Sequence, residues 1–299
     1  MKSSKKQNCR ILLRTQVRQW FFFLLTVLFC QNAFPNAIFY QPLSRDSLIT
    51  KDQWSDLFDK VYLEGYREIV IQWTQYGSTS FTAKENFLKE VLHIAETKKF
   101  RIWLGLYLPD DYYLVMENNN AGSAQYFKSA LTENRKRISL LEVQSLVSND
   151  TFAGWYLPME LTHKYLHQDS NKNRETVLLA LREFASSVQE KIAVSYFLSK
   201  TTSLKSAFFD ITLLNTMGFN LWLQQGNGLK KNTVANQLIR RMDCDIGVIY
   251  ENFIQISDNT TPFEAIKNSE NKVLDNLKDC QKRLTFSLRY LSYSPLQLN

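Results

Sequence analysis

The 299-residue sequence predicts an α/β protein, a single (β/α)8 TIM barrel. Three observations lead there. Eight short runs rich in aliphatic and aromatic residues alternate with segments of helical period, the signature of a parallel sheet, and eight such units imply closure. The runs end in polar residues, as strands do where they open onto a barrel mouth. The alternative, an open doubly wound sheet, needs a Gly-rich phosphate turn after its first strand, and none is present.

The elements follow in order. Ile38 to Pro42 forms the first apolar run. Asp52 to Glu64 sets Trp54, Leu57, Phe58, Val61 and Tyr62 at helical spacing, and Gly65 ends that helix. Glu68 to Gly77 carries Ile69, Val70 and Ile71 and closes in Gln72, Trp73, Thr74, Gln75 and Tyr76. Lys84 to Lys99 is amphipathic. Arg101 to Leu108 is the third strand, followed by Pro109, Asp110 and Asp111, and a long connection with one helix or two over Ser123 to Val147. The fourth strand, Phe152 to Leu161, is apolar until Glu160. Then come a helix at Glu175 to Gln189, a strand at Ile192 to Leu198, a helix at Ser203 to Leu214 and a strand at Phe219 to Gln225. Thr233 to Met242 is helical, Ile246 to Glu251 is the seventh strand, Pro262 to Leu284 is expected to be helical, and Phe286 to Tyr290 is the eighth strand. There is no internal repeat or linker, so the expected organisation is a leader over 1–37 and one barrel over 38–299.

The formal charge of +7 is misleading. Lys2, Lys5, Lys6, Arg10, Arg14 and Arg18 precede the apolar run Trp20 to Cys30, and without these six the charge falls to +1. The body carries no basic stripe, which argues against nucleic acid as a partner. The basic and then apolar start reads as a secretory signal, cut after Ala33 or Ala37, or as an uncleaved inner-membrane anchor over residues 20–30. The expected location is periplasmic or secreted. Outside the leader only Cys244 and Cys280 remain. In an oxidising compartment they are candidates for a disulfide, and two buried free thiols are the alternative.

The strand ends present Gln41, Gln72, Tyr76, Tyr107, Asp110, Tyr156, Tyr196, Trp222, Gln224, Asn252 and Arg289 around two carboxylates, Glu160 and Glu251. Amides and phenols hydrogen-bond hydroxyl groups, and flat aromatic faces cover sugar rings. Glycoside hydrolysis requires two facing carboxyl groups, one protonated to serve the leaving oxygen and one ionised. Strands four and seven lie across an eight-stranded barrel from each other. Glu160 is therefore the candidate general acid/base and Glu251 the candidate nucleophile. A separation of about 5–5.5 Å would mean retention and about 6.5–9.5 Å inversion. A Glu at a strand end also commonly caps a helix or faces solvent, and Trp103, Trp155 and Phe197 read as core.

His163 and His167 lie four apart, but the sequence shows no third ligand beside them except Glu160, so they read as a surface pair and no metal or other cofactor is expected. His93 reads as structural. No Gly-x-Ser-x-Gly elbow occurs.

Five segments in order carry a resemblance: Phe39-Tyr40-Gln41-Pro42, Ile71-Gln72-Trp73-Thr74-Gln75-Tyr76-Gly77, Gly105-Leu106-Tyr107, Gly154-Trp155-Tyr156-Leu157-Pro158-Met159-Glu160 and Glu251-Asn252-Phe253. From Ile38 to about Tyr293 the chain resembles the bacterial glycoside-hydrolase-like barrel family known as domain of unknown function 4434. The resemblance implies a (β/α)8 barrel acting on a bacterial polysaccharide, with exopolysaccharide machinery in the envelope as a partner. Two positions depart from the expected pattern. Gln225 stands where an Asp is expected in Gln224-Gln225-Gly226-Asn227-Gly228, and Met159 stands where such barrels usually place Asn before the acid. Gln225 keeps a second reading open, a non-catalytic polysaccharide-binding barrel that assists synthesis or export.

Overall fold

The computed structural model describes residues 36–82, 87–118, 121–140, 143, 145–167, 170–199, 202–226, 233–257, 264–268 and 277–296. The leader, residues 227–232 and most of 258–276 lie outside them. Eight parallel strands close into a barrel: β1 (Asn36–Tyr40), β2 (Tyr66–Ile71), β3 (Arg101–Gly105), β4 (Phe152–Thr162), β5 (Ile192–Phe197), β6 (Asn220–Gln224), β7 (Gly247–Glu251) and β8 (Arg283–Phe286). They stand in sequence order, and β1 closes the ring by pairing with both β2 and β8. The helices are α1 (Lys51–Leu63), α2 (Phe87–Thr97), α3 (Tyr112–Asn118), α4 (Ala121–Ile138), α5 (His163–Leu166), α6 (Asn171–Ser186), α7 (Leu204–Thr216) and α8 (Thr233–Arg241). None is long and apolar enough to cross a membrane.

Local chemistry sets the helix starts. Thr50 accepts from the backbone N–H of Gln53, whose side chain answers the N–H of Thr50, a reciprocal cap for α1. Ser170 and Ser203 cap α6 and α7 in the same way from one side. Gly65 ends α1 at φ +93°, a conformation other residues adopt only with strain.

Two cores result from the strand alternation. Outward-facing residues such as Ile38, Ile69, Leu104, Leu157, Val194, Leu223 and Val248 pack under the helices. Inward-facing residues fill the barrel itself: Phe39, Val70, Trp103, Tyr156, Trp222, Ile249 and Leu284, with Ala37, Ala153 and Ala193 between them. The large rings need small neighbours. A Cβ on Gly247 would stand 2.8 Å from Trp222 and 2.8 Å from Leu284, so β7 must carry glycine there. At the lower end of the barrel, buried Glu68 accepts from Trp103 Nε1 at 2.7 Å and pairs with Lys282.

Four expectations are corrected. The eighth strand is Arg283–Phe286, three residues earlier than expected, and Leu288–Tyr290 is a turn of 3-10 helix. Within the expected helix 262–284, Ala265–Lys267 is instead a strand paired antiparallel with Phe253–Gln255, so sheet pairing overrides local preference there. His93 is exposed on α2 and holds no core position. The barrel also begins at Asn36 rather than Ile38. Asn36 and Ala37 both pair with neighbouring strands, so a leader cut after Ala33, but not after Ala37, preserves β1 whole.

Cys244 and Cys280 are joined by a disulfide with a Cα–Cα distance of 5.3 Å. It ties the segment before β7 to the segment before β8.

Candidate active site

Glu160 is positioned by an irregularity in β4. Leu157 pairs with Val194 and Leu161 with Tyr196, so Pro158, Met159 and Glu160 bulge opposite Ser195 alone. Proline has no N–H to give the ladder, which suits it to this break. The in–out alternation continues through the bulge: Leu157, Met159 and Leu161 pack with the outer core, and Glu160 faces the mouth above Tyr156. Fully buried Tyr112 of α3 anchors the bulge by donating its hydroxyl to the Glu160 carbonyl at 3.1 Å.

The Glu160 carboxylate accepts a hydrogen bond from Gln224 Nε2, at the end of β6, at 2.9 Å. Burial pushes its pKa up to about 7. The Gln224 bond opposes this by favouring the ionised form, and the charge of Glu251 adds to the rise. Glu251 ends β7 and accepts from the Gly226 backbone N–H at 3.1 Å. The two carboxylates thus feel each other across one mouth, and their environments differ. One is held largely by burial and a neutral amide, the other by a backbone donor.

The remaining strand-end residues divide. Gln72 follows β2 on its inward alternation, and its buried Oε1 has no hydrogen-bond partner among the described residues. Tyr76 is partly exposed and stacks on Trp73 at 4.8 Å. Tyr107 pairs beside it in a three-stranded crown, Gln75–Tyr76, Thr79–Ser80 and Tyr107–Leu108. The charge of Asp110 raises the pKa of both phenols, after burial as the larger cause, which puts the three side chains in one neighbourhood. Gln41 is partly buried at the end of β1.

Five candidates lie elsewhere than expected. Tyr156 and Trp222 are 4% and 2% exposed and stack on each other at 5.3 Å, so they form the floor of the mouth rather than an open sugar platform. Tyr196 points outward between β5 and α7 and donates to Asp210 at 2.8 Å. Arg289, displaced by the earlier end of β8, is buried and paired with Asp46 at 2.7 Å. Asn252 is buried and donates to the Ser287 carbonyl at 3.1 Å.

Other residues of the site carry little signal in the sequence. Tyr113 of α3 has a partly exposed ring, yet its phenol is desolvated: burial raises its pKa well above the usual value, and the nearby charge of Glu160 raises it further. Ser195 meets the Tyr156 hydroxyl at 3.1 Å. Fully buried Asn134 of α4 holds both backbone groups of Tyr107, accepting from its N–H at 2.7 Å and donating to its carbonyl at 3.1 Å. Inward alternation on β5 could have pointed to Ser195. Nothing in the helical patterns marks Tyr113 or Asn134.

Gln225 is placed by the same alternation. Gln224 faces the mouth, and Gln225 is buried on the other side, donating its side-chain amide to Asn236 of α8 at 3.0 Å. An acid at 225 in this conformation would face that helix.

The comparisons agree with this architecture. The chain is 27% identical over 293 residues to the uncharacterised protein YbcH of Escherichia coli K12, covering 92% of this chain and 97% of that one. Among solved structures it is similar to a candidate α-L-fucosidase from Bacteroides thetaiotaomicron, with a TM-score of 0.57, 13% identity and 86% of each chain covered. It is also similar to the spore cortex-lytic enzyme SleL of Bacillus cereus, with a TM-score of 0.50, 9% identity, and 78% of this chain and 56% of that one covered. At such identities these likenesses concern the fold alone. The profile of one family, described as a domain of unknown function, matches residues 36–285, the whole barrel, and the chain belongs to that family, DUF4434.

Proposed function

We propose that the protein is a glycoside hydrolase acting on a bacterial exopolysaccharide outside the cytoplasm, with Glu160 as general acid/base and Glu251 as nucleophile. The observation that carries the reading is the state of Glu160. A carboxyl group with a pKa near 7, facing a second carboxylate at the mouth of the barrel, keeps its proton at a pH where an ordinary glutamate has lost it. It can protonate a glycosidic oxygen as the bond to the anomeric carbon breaks, while Glu251 attacks that carbon. Glu160, then ionised, takes a proton from the water that releases the sugar.

Three further features support it. Gln72 offers a buried acceptor for a substrate hydroxyl. Tyr76, Tyr107 and Tyr113 offer phenols and ring faces at the rim. The Cys244–Cys280 bond suits an oxidising compartment, in line with a leader in the first residues and a periplasmic or secreted location. The fold neighbours include a candidate α-L-fucosidase and a spore cortex-lytic enzyme. The competing reading, a barrel that binds polysaccharide without cutting it, drew on the neutral Gln225. That side chain contacts α8 and not the mouth, which weakens the reading.

The test is hydrolysis of bacterial exopolysaccharides and of aryl glycosides by the wild type, Glu160→Gln and Glu251→Gln. Glu160→Gln should lose turnover of polysaccharide by roughly 10²–10⁴-fold and lose less on aryl glycosides, whose leaving groups need no proton. Glu251→Gln should lose both. Equal turnover by all three forms would overturn the assignment. Saccharide binding without cleavage by the wild type would favour the binding barrel.

A further inference from the structure

Outside the barrel, the α5 turn with His167 just after it and helix α7 bring together two histidines four apart and an aspartate distant from both in the sequence. His163 Nδ1 lies 2.7 Å from Asp210 Oδ2, and His167 Nε2 lies 2.6 Å from Asp210 Oδ1. The two imidazole rings stand 4.1 Å apart. Among the described residues this is the one cluster of three such groups whose donor atoms all fall within 4.8 Å. The histidines are not the solvated surface pair that their spacing suggested. Each side chain is about 30% exposed, at 31% and 28%, and both turn onto a carboxylate that is 0% exposed. The third ligand could not be read from the sequence, because Asp210 lies 43 residues beyond His167 in the middle of an apolar helix.

We propose that His163, His167 and Asp210 form a binding site for a divalent transition-metal ion, Zn²⁺ above all. Two imidazoles and one carboxylate are a ligand set that suits such ions and not Mg²⁺ or Ca²⁺, which prefer oxygen alone. Three protein ligands leave a fourth position for water. Tetrahedral ligand atoms held at about 2.0–2.2 Å from one ion stand about 3.3–3.6 Å from each other, so the imidazoles must draw back from the carboxylate by roughly 0.6–1 Å to admit it. The Tyr196 hydroxyl donates to Asp210 Oδ2 at 2.8 Å and orients the carboxylate from behind, as outer partners of metal ligands do.

Charge supplies the second argument. Asp210 sits in the apolar face of α7 beside Ile211 and Leu214. Its recorded partners are a phenol and two imidazoles, with no Lys or Arg among them. Two imidazolium rings at 4.1 Å would repel, whereas one dication held by neutral imidazoles compensates the buried carboxylate without that cost. The ion would fasten the segment leaving β4, three residues after Glu160, to the helix that follows β5.

The test uses the full chain, purified without a histidine tag and stripped of metal by chelation, titrated with Zn²⁺ alone against a chromophoric chelator. One equivalent should bind, and Co²⁺ alone should give the visible bands of a low-coordinate nitrogen–oxygen site. His163→Ala and His167→Ala, both at partly exposed positions that need not disturb folding, should each weaken binding by at least about 100-fold, and Tyr196→Phe by about 10–100-fold. His93→Ala should bind as the wild type does. Zn²⁺ should raise the melting temperature of the wild type and not that of His163→Ala. Absence of stoichiometric binding at micromolar Zn²⁺, or undiminished binding by both histidine variants, would overturn the site and leave a hydrogen-bonded cluster.

Discussion

Gln224 donates its side-chain amide to the carboxylate of Glu160 at 2.9 Å, joining the end of β6 to the bulge of β4 across the barrel mouth. The bond favours the ionised carboxylate and so opposes the burial and the Glu251 charge that raise its pKa.

Removing that amide should therefore raise the pKa further. In Gln224→Leu the alkaline limb of the kcat/KM profile, expected near pH 7 in the wild type, should move upward, because Glu160 must be protonated to act as the acid. A pH–rate profile on one substrate checks this. A limb that stays in place or moves to lower pH would show that Glu160 is not the group titrating.

Glu160 should cost the fold stability at neutral and alkaline pH. Its folded-state pKa of about 7 lies above the value of an unfolded glutamate, so folding binds a proton between the two. The penalty is absent below about pH 4, grows as pH rises, and is complete above about pH 7. Glu160→Gln keeps an acceptor for Gln224 and cannot ionise. It should be more stable than the wild type at pH 8 by roughly 1–3 kcal/mol and nearly equal to it at pH 4. Denaturant unfolding at the two pH values measures the difference.

Arg289 and Asp46 form a buried pair whose loss should be structural. Asp46 also accepts from the Tyr40 hydroxyl at 3.1 Å and from the Leu43 N–H at 3.0 Å. Arg289→Ala leaves that carboxylate buried without its cation and should destabilise by about 3–5 kcal/mol. Thermal unfolding checks it. A stable Arg289→Ala protein with weakened saccharide binding would instead return Arg289 to the site.

Loss of the Cys244–Cys280 bond, which closes a separation of 36 residues, should cost about 3–4 kcal/mol through the freedom regained by the unfolded chain. The double Cys244→Ser, Cys280→Ser variant should match the reduced wild type in denaturant midpoint. A wild type insensitive to reductant would contradict this.

The barrel was legible because its period is local. Ile69, Val70 and Ile71 read as a buried strand wherever they stand, and Trp54, Leu57, Phe58 and Val61 read as one helical face. Where the signal was weak, the boundaries slipped. Phe286 to Tyr290 is as apolar as a strand, yet β8 ends at Phe286, and with that shift Arg289 left the mouth for Asp46. Ala265–Lys267 became a strand only because Phe253–Gln255 was there to pair with it.

By itself, then, the sequence determined the alternation of eight strands with helices and the two carboxylates at strand ends, since both depend on neighbours within a few residues. The tertiary structure alone decided which aromatic rings plug the barrel, that Gln225 faces away from the mouth, that Glu160 is buried enough to hold a proton near neutral pH, and that Asp210 meets His163 and His167. The physical reason is range. Period and propensity act along the chain, whereas burial, charge and ligand geometry depend on groups brought together through space by the closure of the barrel.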